Sequence, residues 1–300
     1  MKALAYAASA GVALAVTAAI AAATTAPGAW QRLPAAPIAP NEALTSVWTG
    51  TQMLVFGDHV KRANDGAVLE RAPVAASYDP RTHRWRKLAP PGSSGDLVGA
   101  ASVWTGTEML VWAQGVHEAY NPSTNSWRTF LSSGLLATHD AHGLVAWTGR
   151  ELIGWGGGCC GDAFSDGVGF NRRTKRWRAL PRGPLAGSQH PVGAWTGREL
   201  VILVGNTSPD GKPWPARLAR AAAYSPTTNS WRRIAKPPLD LGGATTAWDG
   251  RELLAVSPRG ATSAYAYEPA TNRWSPNASA ARRAIRAPSR FSSKTRSSSP

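Results

Sequence analysis

In Tyr224-Ser225-Pro226-Thr227-Thr228-Asn229-Ser230-Trp231, an aromatic residue is followed seven residues later by Trp, and this spacing occurs five times. The five pairs are Tyr78 and Trp85, Tyr120 and Trp127, Phe170 and Trp177, Tyr224 and Trp231, and Tyr267 and Trp274. The polar residue after the aromatic can hydrogen-bond the turn, and Pro at the next position fixes its first backbone angle. Each copy therefore predicts a β-hairpin.

A second pattern, Trp-Thr-Gly or Trp-Asp-Gly, alternates with the first and begins at Trp48, Trp104, Trp147, Trp195 and Trp248. An apolar stretch precedes each copy, and a longer one such as Leu200-Val201-Ile202-Leu203 follows it. Two apolar strands joined by a tight Gly-containing turn are typical of a hairpin. The longer strand is apolar at nearly every position, which indicates that both of its faces are buried.

Two hairpins per unit give a four-stranded antiparallel sheet of about 50 residues. We name its strands a to d in chain order. The prediction is an all-β propeller of four-stranded antiparallel blades over residues 30–274, with five full repeats. The ten Trp residues of the two patterns are expected to pack between adjacent blades, because burial of large aromatics dominates core energetics.

These units resemble kelch repeats of the galactose oxidase-like superfamily, in its exported bacterial form. The double Gly that closes strand b in that family is matched only at Gly156-Gly157. The resemblance implies copper-radical oxidase chemistry, which needs a Cys–Tyr crosslink, a second Tyr and two His around copper. Only Tyr265 is spare outside the repeat positions and the N-terminal segment. Oxidase activity is therefore not expected.

The two ends of the chain differ in composition from the repeats. Lys2 followed by the apolar, Ala-rich run to Ala23 predicts a signal peptide over residues 1–23, and residues 24–29 form a short linker. A retained anchor is the alternative, since the run is just long enough to span a bilayer. Residues 275–300 are Ser-rich and basic without any acid, which predicts a disordered tail. We expect a secreted, extracellular protein, in contact with the cell wall and free of the membrane after cleavage.

The segment Trp30-Gln31-Arg32-Leu33-Pro34 resembles strand d, as in Trp231-Arg232-Arg233-Ile234. Three explanations of this lone strand stay open. In the first, a five-bladed ring carries an extra N-terminal strand. In the second, Trp30 displaces the Trp274 strand in the last blade. In the third, the ring is a truncated six-bladed one. A missing blade would leave sheet edges exposed.

Antiparallel order places the a–b and c–d turns on one face and the b–c and d–a loops on the other. The second set varies between units, so the sequence predicts the ligand site there. The candidate ligand-binding residues are Trp214, His59, His117, Glu118, Cys159, Cys160, Asp162 and Arg217. Trp214 could stack on a sugar ring, with packing over the propeller rim as the alternative. Solvated loops without a ligand are the alternative for the whole set.

Cys159 and Cys160 are the two cysteines of the chain, and they are adjacent. Neighbouring α-carbons lie about 3.8 Å apart, below the usual disulfide range of roughly 4.4–6.8 Å. A vicinal disulfide would lock a sharp bend in the Gly156-Gly157-Gly158 loop. Free thiols or intermolecular pairing are the alternatives. His142 precedes Trp147 by the same five positions as His190 precedes Trp195, so these two histidines are expected at the entry to a strand. A metal site at His139 and His142 is the less favoured alternative.

The preferred function is a non-catalytic binding module whose b–c and d–a loops contact an extracellular protein or carbohydrate. The formal charge of +15 suits an anionic cell-wall polymer, while no nucleic-acid module is recognisable. No cofactor, metal or catalytic residue is expected. The alternative is a glycan-acting propeller enzyme related to the galactose oxidase-like proteins, using His117, Glu118 and Asp162. A degenerate remnant without folded function is the third hypothesis.

Overall fold

The computed structural model divides the chain into two compact units, residues 1–33 and 34–300. It describes residues 32–38, 43–92, 100–113, 116–130, 143–158, 161–205, 212, 218, 220–239, 241, 244–257 and 263–277. The predicted signal peptide and the linker lie outside the described residues. No helix in the described ranges has the length and apolar character that crossing a membrane requires.

Among the described residues, twenty strands form five four-stranded antiparallel sheets, each with its strands in chain order. The first sheet contains β1 (Ala43–Trp48), β2 (Met53–Arg62), β3 (Val68–Asp79) and β4 (Arg84–Lys87). The second contains β5 (Ala101–Trp104), β6 (Met109–Ala113), β7 (Val116–Asn121) and β8 (Ser126–Thr129). The third contains β9 (Leu144–Trp147), β10 (Glu151–Trp155), β11 (Gly167–Asn171) and β12 (Arg176–Ala179).

The fourth sheet contains β13 (Val192–Trp195), β14 (Leu200–Leu203), β15 (Ala221–Ser225) and β16 (Ser230–Arg233). The fifth contains β17 (Thr245–Trp248), β18 (Leu253–Ser257), β19 (Ser263–Glu268) and β20 (Arg273–Pro276). The sheets are arranged in a ring, so the protein is a five-bladed β-propeller and the predicted fold is confirmed. Because β20 ends at Pro276, the first two residues of the predicted tail are part of a strand.

The pairing register follows the two sequence patterns. Trp195, at the end of strand a, lies opposite Leu200 in strand b, and Tyr224 in strand c lies opposite Trp231 in strand d. The rings of Tyr224 and Trp231 have centroids 5.1 Å apart. All four other sheets repeat this aromatic pair with centroid separations of 4.6–5.2 Å. Aromatic cross-strand pairs of this kind stabilise a sheet and fix its register.

The c–d turn places one residue of each repeat in the left-handed region. These are His83, Asn125, Lys175, Asn229 and Asn272, with φ between 50° and 54°. Asn tolerates this conformation better than most residues do. In the second sheet the Tyr120 hydroxyl donates to Asn125 Oδ1 at 2.8 Å, and Tyr224 and Tyr267 make the same bond to their Asn. The third sheet departs from this arrangement, because it has Phe170 and Lys175.

Four apolar clusters found among the described residues join consecutive sheets, and each includes the strand-a and strand-d Trp residues of the later sheet. Phe56 of the first sheet packs on Trp127 of the second with ring centroids 4.8 Å apart. The indole N–H of Trp127 also donates to the Ala89 carbonyl at 2.7 Å. Trp231 and Trp274 make the equivalent bond, which ties strand d of one sheet to the chain leaving strand d of the preceding one.

The first sheet has the same kind of bond, from the Trp85 indole N–H to the Pro34 carbonyl at 2.9 Å. Pro34 therefore occupies the place that Ala89 has relative to Trp127. Trp30 lies outside the described residues, but β20 with Trp274 pairs with β19, so the Trp274 strand is not displaced. The five complete sheets agree with the first explanation of the lone strand, and a lost blade stays a hypothesis.

Trp48 differs from the other strand-a Trp residues, because 53% of its surface is exposed. Leu44 on the same strand is 57% exposed. Trp104, Trp147, Trp195 and Trp248 each pack against an apolar cluster shared with the preceding sheet. None of the four clusters found among the described residues joins the fifth sheet to the first, so Trp48 has no such cluster to pack against.

Candidate functional site

The a–b turns of the third, fourth and fifth sheets and the c–d turns of the fourth and fifth sheets surround a concave space of about 1070 Å³. We call this space the turn-face basin. It is lined by the strand-a residues Trp195 and Trp248 and by the charged residues Arg150, Glu151, Arg198, Glu199, Arg232 and Arg251. The basin lies on the face opposite to the b–c and d–a loops, where the sequence predicts the ligand site.

The a–b turns are held rigid by a repeated set of hydrogen bonds. Thr196 Oγ1 accepts from the backbone N–H of Glu199 at 3.1 Å and donates to the Glu199 carbonyl at 3.0 Å, and Gly197 has a φ of 92°. Asp249 has the same role in the fifth sheet, accepting the N–H groups of Glu252 and Arg251. These bonds lower the pKa of Asp249. A rigid turn presents the residue after Gly to solvent in a fixed place.

That residue is Arg150, Arg198 or Arg251 in the three sheets around the basin. Arg150 and Arg198 are exposed, and neither makes a side-chain hydrogen bond or ion pair with any residue in the described ranges. Arg251 pairs with Glu268 at 2.7 Å, and this bond raises the pKa of Arg251 and lowers that of Glu268. Two arginines are thus available to an anionic ligand without breaking an existing pair.

In the second, third and fourth sheets, the glutamate four positions after the turn Trp is held by an arginine of strand d. Glu199 accepts from Arg232 at 2.6 Å, and this bond raises the pKa of the Arg232 guanidinium. Glu151 accepts from Arg178 at 2.9 Å in the same way. Glu108 contacts Arg128 and Arg172. Because each carboxylate is bound to an arginine, these residues belong to the scaffold, in agreement with their repeat position.

Burial raises the pKa of Tyr120, Tyr224 and Tyr267, the strand-c aromatics of three sheets. Arg178 opposes this effect at Tyr224, since its guanidinium donates to the hydroxyl at 2.9 Å. The hydroxyls remain protonated at neutral pH and act as hydrogen-bond donors. Tyr224 and Tyr267 hold the c–d turns of the fourth and fifth sheets, which border the basin.

Sequence reasoning missed the basin because its aromatic residues occupy repeat positions that indicate packing. Trp195 and Trp248 do pack on apolar clusters, yet both are only half-buried and border the open space. A signal was present in the sequence. Arg follows the turn Gly in the third, fourth and fifth units, where the first two units have Thr51 and Thr107.

The described candidates of the loop face do not form one constellation. His59 is half-buried in β2, and Asp162 is exposed between β10 and β11. His117 and Glu118 are 6% and 5% exposed and lie within β7, not in a loop. The sequence placed His59, His117 and Glu118 in the loops, and this location is wrong, because all three lie within strands. In sequence, polar residues of an inner strand resemble loop residues.

Neighbouring strand residues point to opposite faces of a sheet. The His117 ring packs on Trp112, with centroids 4.8 Å apart, and on Phe130 at 6.0 Å. Both partners belong to the cluster shared with the third sheet, so Glu118 faces the other side of the blade. His117 and Glu118 therefore lie on opposite faces of the second blade.

Four further predicted residues, Trp214, Arg217, Cys159 and Cys160, lie outside the described residues, as does any disulfide between the cysteines. The glycines before them are described, with φ of 69° at Gly156, 98° at Gly157 and 117° at Gly158. A Cβ on Gly158 would lie 2.7 Å from the Asp162 carbonyl oxygen. The chain before Cys159 therefore requires glycine. The described ranges hold no group of three or more His, Cys, Asp or Glu residues suited to a metal ion.

Comparison with known proteins identifies the fold and no more. No family model and no curated protein sequence matches this chain. A solved structure described as "Structure of YjhT" is similar over 83% of this chain and 87% of that one, with a TM-score of 0.62 and 14% sequence identity. At this identity the likeness shows a shared β-propeller fold alone.

Proposed function

We propose that this protein is a non-catalytic binding module for an acidic carbohydrate, such as an anionic cell-wall polymer. The observation that carries the proposal is the turn-face basin, which combines half-buried Trp195 and Trp248 with the available guanidinium groups of Arg150 and Arg198. Aromatic faces suit the apolar side of a sugar ring. The planar guanidinium matches a carboxylate or phosphate with two parallel hydrogen bonds.

The charge of the basin supports an anionic ligand. Four arginines line it against two glutamates, and both glutamates are paired with arginines. The whole chain carries +15, which would draw an anionic polymer towards the protein and raise the association rate. An open concave surface built by three blades also suits an extended polymer better than a compact substrate.

The proposal also includes the export of the protein and the family to which its repeats belong. The N-terminal segment has the layout of a signal peptide, which would bring the protein to a cell-wall ligand. We also propose that the blades are kelch repeats. The unit length of about 50 residues and the likeness to YjhT support this relationship.

Titration calorimetry tests the proposal. Polygalacturonate is the acidic polymer, and a neutral galactan is the uncharged control. We expect binding of polygalacturonate, little binding of the galactan, and an affinity that falls as salt rises from about 0.05 to 0.5 M, because salt screens exposed charges. Equal affinity for the two polymers, or an affinity independent of salt, would contradict an acidic-carbohydrate function.

A further inference from the structure

A second cavity, of about 360 Å³, lies between the second and third sheets. We call it the junction pocket. Its apolar wall is formed by Leu110, Phe130, Trp147 and Phe170, and its polar side includes Arg128, Arg172 and Lys175. Small-molecule sites occupy roughly 300–1,000 Å³ and combine an apolar lining with a few placed polar groups. The junction pocket has both properties.

The pocket coincides with a departure from the repeat. In the second, fourth and fifth sheets, the strand-c Tyr hydroxyl donates to an Asn five residues later, and in the first sheet it contacts a His. In the third sheet these two positions are Phe170 and Lys175. Phe170 has no hydroxyl, so this hydrogen bond is absent from the third sheet. Both replacing residues line the cavity.

The polar side of the pocket has an excess of positive charge. Glu108 accepts from Arg128 Nη2 at 2.8 Å and also contacts Arg172, which crosses from the third sheet to the second. Lys175 is exposed and makes no side-chain hydrogen bond or ion pair within the described part of the chain. Two of the three cations that line the pocket therefore pair with the Glu108 carboxylate, and the ammonium of Lys175 is available to a ligand.

We propose that the junction pocket binds a single hexuronic acid residue, with its ring against Trp147 and Phe170 and its carboxylate towards Lys175 and Arg172. The inference rests on the proposed function for its ligand class. Trp147 lines the pocket and Thr148, the next residue, lines the turn-face basin. The two cavities therefore adjoin at the a–b turn of the third sheet, where a polymer in the basin would have its sugar residues beside the pocket.

The test gives the third sheet the Tyr and Asn that the second, fourth and fifth sheets have at these two positions. The variant F170Y/K175N adds the hydroxyl and the Asn, removes the ammonium, and is expected to fold because three other sheets hold the same pair. Titration with D-galacturonate monosaccharide should show binding to the native protein and at least a tenfold loss in the variant. Lys175→Gln, which keeps Phe170, should show a similar loss of binding. This single variant still tests the proposal if the double variant does not fold.

The matched control is Arg173→Asn, which removes one positive charge from the same turn at an exposed position outside the pocket. It should bind D-galacturonate like the native protein. No monosaccharide binding to the native protein, or equal binding to native protein and Lys175→Gln, would overturn the inference. Loss of monosaccharide binding with polygalacturonate binding intact would leave the proposed function standing. Monosaccharide binding without any polymer binding would refute only the proposed function.

Discussion

The substitution Trp155→Ala is expected to lower the free energy of unfolding by about 3–5 kcal/mol, the usual cost of removing a fully buried large aromatic. Trp155 is 2% exposed and belongs to the cluster between the third and fourth sheets. Its ring packs on Trp231 with centroids 6.3 Å apart. The cavity left behind would separate two blades, and urea unfolding followed by near-ultraviolet circular dichroism measures the loss.

Trp48→Ala is the matched control, because it removes the same side chain from a position that is 53% exposed. We expect a change below about 1 kcal/mol, as for most surface substitutions. Trp155→Phe is expected to cost less than Trp155→Ala, since the buried Trp155 indole N–H has no hydrogen-bond partner among the described residues and Phe has no such group. Equal losses for Trp48→Ala and Trp155→Ala would show that the apolar clusters do not hold the blades together.

Replacing both Arg150 and Arg198 by Ala is expected to weaken polygalacturonate binding by roughly 10- to 150-fold. This range follows from a net value of about 1.5–3 kcal/mol for hydrogen bonds to a charged group, converted at 1.4 kcal/mol per factor of ten. The full 1.5–3 kcal/mol is assigned to the two arginines together, because both are exposed and salt screens them. Neither side chain has an ion pair in the described ranges, so the fold should lose little stability.

The double variant R84A/K87A is the control, because it removes two exposed positive charges from β4, outside the basin. We expect less than a twofold change in affinity, measured by the same titration. If R84A/K87A weakens binding as much as R150A/R198A, the polymer responds to net charge and the basin has no special role.

The architecture was predictable from sequence because it depends on repeated contacts. The spacing between Tyr224 and Trp231 fixes a hairpin in which the two residues lie opposite each other. The Trp-Thr-Gly pattern fixes a second hairpin through the hydrogen bonds of Thr196. Each unit needs its neighbour to bury its aromatic residues, so one repeated pattern predicts the whole ring.

The candidate site could not be predicted in the same way. Trp195 packs between blades and also borders the basin. The periodicity of the sequence indicates the packing role but not the position beside the basin. His117 and Glu118 are polar residues inside a strand, and no pattern distinguishes a buried interblade position from a loop. The junction pocket coincides with Phe170, where the repeat lacks the strand-c hydroxyl, and this departure is informative only beside the hydrogen bonds that the other sheets make there.

Hydrogen–deuterium exchange of the purified protein, with and without saturating polygalacturonate, tests most directly which face binds the ligand. We predict slower exchange in the basin turns, residues 148–150, 196–198 and 225–228, with the loop at 161–166 unchanged. Slower exchange confined to the b–c loops, including 161–166, would contradict a ligand site on the turn face.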